Sequence, residues 1–142
     1  MKHIEAVFEA PPRHWVGDGF PVRSIFSYQA HGSAISPFLL LDYAAPTSFE
    51  ASSQRRGVGS HPHRGFETVT YMIAGRMRHR DSAGNEGLLG PGSAQWMSAG
   101  SGIFHSEFNP SRQEAVHLLQ IWMLPNRLGI RPGYEGKVVP VT

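Results

Sequence analysis

The sequence predicts an all-β domain, a two-sheet sandwich or small barrel, and three observations carry that expectation. Sixteen glycines and eleven prolines in 142 residues cut the chain into short segments, a punctuation that favours strands and turns over helices. Runs rich in β-branched and aromatic residues recur between those breaks, at the spacing of sandwich or barrel strands. No stretch of a dozen residues carries a 3.6-residue apolar period.

In chain order, the predicted strands are residues 21–30 (PVRSIFSYQA), 37–43 (PFLLLDY), 66–75 (FETVTYMIAG), 76–81 (RMRHRD), 94–100 (AQWMSAG) and 115–124 (AVHLLQIWML). Ala74-Gly75, DSAGN at 81–85 and GPGS at 90–93 read as the turns of three hairpins. Leu118, Leu119, Ile121, Trp122 and Met123 are apolar on both strand faces, the pattern of a strand buried on two sides. The segment after Pro125 is punctuated by Gly and Pro and closes near the apolar pair Val138-Val139.

The length suits one domain over residues 1–142, large enough to bury roughly two thirds of the unfolded chain's surface. The absence of cysteine excludes disulfides and thiolate metal sites and fits a reducing compartment. The first twenty residues contain no apolar signal region, and no apolar run is long enough to span a bilayer. A cytoplasmic protein with no membrane partner is the expectation. The net charge of +2 is small and its basic residues are dispersed. Residues 76–81 alternate as one solvated strand face, His79 included, so no direct nucleic-acid partner is expected.

Chemistry enters with the histidines. His61-Pro62-His63 spaces two imidazoles by two residues, but eight histidines in this length give about 0.4 such pairs by chance. Some forty residues on, SGIFHSEFNPS repeats the spacing with His105 and Glu107. On a strand, alternate side chains share a face, so each pair can aim two donor atoms the same way. If the two strands face each other across a barrel, three imidazoles and one carboxylate converge. That donor set suits iron, nickel, copper, manganese, cobalt or zinc, and on a six-coordinate ion it leaves two open positions. His3, His14 and His31 lie in turn-rich or terminal stretches and read as solvated, whereas His117 reads as a core or solvent-facing residue. Trp96, Trp122, Phe104 and Met97 read as core first and as a pocket for a flat aromatic substrate second. Asp81 and Glu86 flank a turn, where carboxylates serve local hydrogen bonds.

The stretches HPHRGFETVTYMIAGRMRHRDSAGN, GPGSAQWMSAGSGIFHSEFNP and HLLQIWMLP closely resemble the N-terminal domain of pirins, in the cupin superfamily. The resemblance runs from about residue 38 to 135 and implies a cupin-type jelly-roll sandwich or barrel. It implies His61, His63, His105 and Glu107 as metal ligands, with Fe(II) the usual ion. Against the broad cupin motifs, Glu67, Gly102, His105 and Asn109 fall in place. Gly75 falls one residue late, Arg55 replaces a glycine, and Gly100 stands where proline would be. Many cupins bind metal through the Glu67 position; the pirin pattern points to Glu107 and leaves Glu67 beside the ligands or structural. Pirins usually carry a second cupin domain, and this chain stops near the end of the first. A natural single-domain form, a truncated product, or half of an assembly completed by a second copy in a homo-oligomer or by a protein partner are the corresponding expectations.

The resemblance implies one of two functions. Some pirins resemble quercetin 2,3-dioxygenases, which open a flavonol ring with loss of carbon monoxide. Glu107 would then be catalytic as acceptor of the flavonol hydroxyl proton, with a small aromatic substrate as partner. The other reading is a non-enzymatic, iron-dependent redox regulator that acts through a protein partner.

Overall fold

The computed structural model describes residues 1–9, 11–47 and 54–139. Among these lie strands β1 (His14–Val16), β2 (Phe20–Ser27), β3 (Phe38–Ala44), β4 (Gly57–His63), β5 (Glu67–Ala74) and β6 (Met77–Asp81). Strands β7 (Glu86–Leu89), β8 (Ser93–Ser98), β9 (Ile103–Phe108), β10 (His117–Met123) and β11 (Gly133–Val138) follow. Seven form one sheet in the order β1-β2-β3-β10-β5-β8-β11, and four form another in the order β4-β9-β6-β7. Every neighbouring pair is antiparallel. This is the all-β, two-sheet sandwich that the sequence predicts. No helix among the described residues is long and apolar enough to cross a membrane.

Alternation selects what each strand buries. Thr68, Thr70 and Met72 of β5 point inward, as do Met77 and His79 of β6 and Ile103, His105 and Glu107 of β9. Phe20, Val22, Ala44, Met72, Met77, Leu89, Val116 and Leu118 form one apolar cluster that draws on both sheets, and Met97, Ala99 and Ile103 form a second. Much of the remaining interior is polar, and the candidate site is built there.

Several expected elements differ in detail. Residues 81–85 do close the β6–β7 hairpin. The other two turns are corners: Gly75 lies between β5 and β6, and residues 90–92 between β7 and β8, and in each case the flanking strands belong to different sheets. The predicted strand 21–30 stops at Ser27, whose hydroxyl accepts the Ala30 N–H at 3.3 Å and caps a single helical turn, Tyr28–His31. β10 lies between β3 and β5, yet only Leu118 among its apolar residues is fully buried, so its outer face is half open. His79 is 0% exposed although arginines flank it, because Arg78 and Arg80 take the opposite face.

Gly75 shows why the β5–β6 corner needs its residue. Its φ is +76°, and a Cβ there would run into the Ala115 carbonyl oxygen. Gly84 has a similar φ of +89° but open space around it. Gly84→Ala should cost about 1–2 kcal/mol from the backbone alone, and Gly75→Ala clearly more, because the collision adds to that cost. Urea unfolding of the two variants measures the difference; equal losses would show that the corner relaxes freely.

Candidate metal centre

The site is assembled where β4 meets β9, and the two strands are ladder neighbours in one sheet and do not face each other across a barrel. Antiparallel pairing sets Val58 opposite Glu107 and His61 opposite His105, so β4 takes one residue more than β9 over that interval. The resulting bulge falls at Gly59 and Ser60 and turns the strand where it must present a side chain. Gly59 also fixes the ring of His61. Its carbonyl lies 2.8 Å from His61 Nδ1, and since a carbonyl only accepts, Nδ1 carries the proton and Nε2 is left with a bare lone pair.

That Nε2 faces two others. His63 Nε2 lies 3.0 Å away and His105 Nε2 2.9 Å away, with ring centroids 4.4–4.7 Å apart throughout the trio. Two nitrogens at right angles on one ion, each bonded at about 2.1 Å, would be about 3.0 Å apart. The donor set therefore fits a transition ion in both chemistry and spacing. Burial keeps the donors available: it holds the His63 imidazole down to about 4, helped by nearby His61, and the His105 imidazole down to about 2, helped by His61, His63 and His79. Both rings are neutral at physiological pH, which metal binding requires.

Glu107 faces the same interior from β9, two residues beyond His105, but its carboxylate groups with His79 and His105 and not with the three-histidine cluster. Gln95 Nε2 donates to its Oε1 at 2.8 Å and also reaches Thr70 Oγ1 at 3.2 Å, while Thr70 Oγ1 donates to Gln120 Oε1 at 2.6 Å. Burial outweighs these bonds and pushes the Glu107 carboxyl up to about 7. Glu67 is partly exposed on β5 and belongs to neither donor group.

A cavity of about 360 Å³ opens over the cluster, with His61, His63, His105 and Glu107 on one side and Asp42, Gln120 and Trp122 from the large sheet on the other. Trp122 meets His63 edge to face at 5.3 Å. Of the remaining aromatic and thioether candidates, Met97 is core, Phe104 is exposed, and Trp96 lines a separate surface hollow. His14 is exposed at the cavity edge, and His117 bonds the Tyr43 hydroxyl at 3.1 Å. Sequence reasoning missed Asp42, Thr70, Gln95, Gln120 and the burial of His79. For Thr70 and Gln95 a signal was present, since both sit at inward positions of alternating strands. Asp42, buried on β3, accepts the Ser24 hydroxyl at 2.6 Å, and burial raises its carboxyl.

Two motif positions gain a physical reading. Gly100 has φ +50°, which proline cannot adopt, so the departure from the cupin pattern reflects a different local backbone. Asn109 ties the loop after β9, donating to the Glu114 carbonyl at 2.7 Å and accepting the Ser111 N–H at 2.9 Å.

A two-sheet sandwich with a histidine cluster on its inner face defines a cupin-type protein. The profile of the pirin family matches residues 19–123, and the chain belongs to that family. A Pseudomonas aeruginosa protein named "Putative quercetin 2,3-dioxygenase" is 51% identical over 137 residues, covering 93% of this chain and 48% of the relative. The crystal structure of an Acinetobacter baumannii quercetin 2,3-dioxygenase is 43% identical with a TM-score of 0.85, covering 91% of this chain and 47% of that one. An Escherichia coli bacterial pirin solved with nickel(II) is 32% identical with a TM-score of 0.71, covering 91% and 55%. The chain thus spans about half the length of these relatives.

Neutral histidines have a stability signature. Unfolded histidines take up protons below about 6.5, while His63 and His105 in the fold do not. The metal-free chain should therefore lose stability as pH falls from about 6.5 towards 4. Glu107 works in the opposite sense between about 4.5 and 7, since the buried carboxyl keeps a proton that the unfolded chain releases. Urea unfolding of chelator-treated protein at pH 7 and pH 5 measures the balance, and Glu107→Gln should steepen the acid loss. A stability independent of pH across that range would contradict these assignments.

Proposed function

We propose that this chain is the metal-bearing portion of a quercetin 2,3-dioxygenase-like enzyme, with His61, His63, His105 and Glu107 as donors to one divalent ion. The observation that carries the reading is the approach of three Nε2 atoms to 2.9–3.0 Å beneath a cavity of about 360 Å³. The names of the relatives support a flavonol as substrate, and the nickel(II) of the Escherichia coli pirin supports a borderline divalent ion. Fe(II), the ion of the sequence-level resemblance, is our assignment for the resident metal. When bound, such an ion supplies Lewis acidity towards a substrate oxygen and one-electron chemistry with dioxygen.

The chain's own residues do the rest. The cavity volume lies within the range that takes a drug-sized ligand, and Trp122 offers a flat apolar wall to an aromatic ring. Glu107, lining the cavity beside the histidine cluster, accepts the flavonol 3-hydroxyl proton. Gln95 holds that carboxylate by its Oε1. Asp42 and Gln120 face it across the cavity and offer acceptors to the substrate's other hydroxyls.

Anaerobic loading with iron, nickel or manganese, followed by quercetin and air, should bleach the flavonol absorbance and release carbon monoxide. His61→Ala should abolish ion retention. Glu107→Gln should lower turnover by about 10²–10⁴-fold, the usual worth of a positioned base. Failure of every metal form to bleach the flavonol would end this reading.

A further inference from the structure

His105 is held from behind by a chain of buried groups that the proposed chemistry does not use. Strand β6 pairs with β9 so that Asp81 lies opposite His105 and His79 opposite Glu107. Asp81 Oδ2 is 3.0 Å from His79 Nε2, and both side chains are 0% exposed. Asp81 is also anchored by the turn that follows it: Oδ1 accepts the N–H groups of Ala83 at 2.9 Å and Asn85 at 3.0 Å, and Asn85 Nδ2 reaches Oδ2 at 2.9 Å. The His79 ring stacks flat on Tyr134 with centroids 4.5 Å apart and planes 14° apart. Its other nitrogen, Nδ1, lies 3.4 Å from His105 Nδ1.

The proton positions follow from this order of partners. A carboxylate only accepts, so His79 Nε2 carries the proton and its Nδ1 is an acceptor. That acceptor faces His105 Nδ1, which must then donate, leaving the His105 Nε2 lone pair on the far side of the ring. His61 Nε2 lies there, at 2.9 Å. The reverse arrangement, with His105 protonated on Nε2, would spend that hydrogen on the bare Nε2 of His61, close the nitrogen to an ion, and set two Nδ1 lone pairs against each other at 3.4 Å.

We propose that Asp81 and His79 form a positioning relay that fixes His105 in the Nδ1–H tautomer and so presents its Nε2 to the histidine cluster. His79 acts through His105 and is a positioning residue, neither a ligand nor a catalytic group. Gly59 does for His61 with a single carbonyl what the relay does for His105 with two buried side chains. Orienting partners of this kind are worth about 10–100-fold in metal affinity. The consequence for metal rests on the reading of His61, His63 and His105 as donors; the tautomer itself does not.

The test separates the two. Long-range ¹H–¹⁵N correlation on chelator-treated protein labelled at histidine reads each ring's tautomer without any ion. The expected result is a proton on Nε2 of His79 and on Nδ1 of His105; a proton on Nε2 of His105 would overturn the relay. Nickel(II) affinity is then measured by competition with a chromophoric chelator, with a thermal melt on each variant to confirm folding. His79→Leu removes the acceptor and should weaken binding by about 10–100-fold. His79→Asn, whose side-chain oxygen can take the place of Nδ1, should stay within a few-fold of wild type. Wild-type affinity in His79→Leu, or two nickel ions per chain with His79 as a ligand, would also sink the proposal. If the wild-type chain binds no ion, the metal reading of the site falls, and the tautomer measurement still decides the relay.

Discussion

The register that sets His61 opposite His105 across β4 and β9 is the constraint on which the interior depends. Side chains on paired strands meet only when the pairing brings them to one face, and slipping by one residue would turn each to the other side. The bulge at Gly59 and Ser60 is the adjustment that lets both histidines of β4 reach the cluster while Val58 keeps its place opposite Glu107. β9 in turn pairs with β6, which brings His79 and Asp81 behind His105. One ladder therefore supplies the front of the site and its support.

A polar interior of this kind opposes stability, and the structure shows where the opposition is met. Glu107, Gln95, Thr70 and Gln120 bond to one another across four strands, so the carboxyl is buried in company. The accounting is incomplete: Gln95 Oε1, Thr68 Oγ1 and Ser98 Oγ are buried without a hydrogen-bond partner. Each such group costs about 1–3 kcal/mol. Met72, Met77, Leu89 and their neighbours offset that cost nearby by burying apolar surface from both sheets. Fold and site thus divide the interior between them.

The fold class was legible because glycine and proline placement and the lack of helical periodicity are local properties. The strand positions of residues 66–75 and 94–100 were legible for the same reason. β4 was not legible from composition: GVGSHPH has two glycines and a proline, and it is a strand because β9 offers it a ladder. Two of the three expected hairpins turned out to be corners between sheets, since a turn signal marks a reversal without saying which strand the chain joins next. The three histidines were readable from a two-residue spacing repeated at two places, and the choice of Glu107 over Glu67 came from the family pattern. His79 was misread because its arginine neighbours dominate the local composition, although the same alternation that buries His105 buries it too.

The position of β4 at the margin of the four-stranded sheet bears on how an ion could come and go. Among the described residues its one ladder partner is β9, Pro62 has no N–H to contribute, and the bulge interrupts the ladder between Val58 and His61. Two of the three imidazoles thus ride on an edge strand, while His105 is held from both sides by β4 and β6. Fraying of that edge would release His61 and His63 together and leave the remainder of the sandwich intact. Exchange of the ion would then be governed by the opening rate of one short strand and not by unfolding of the domain.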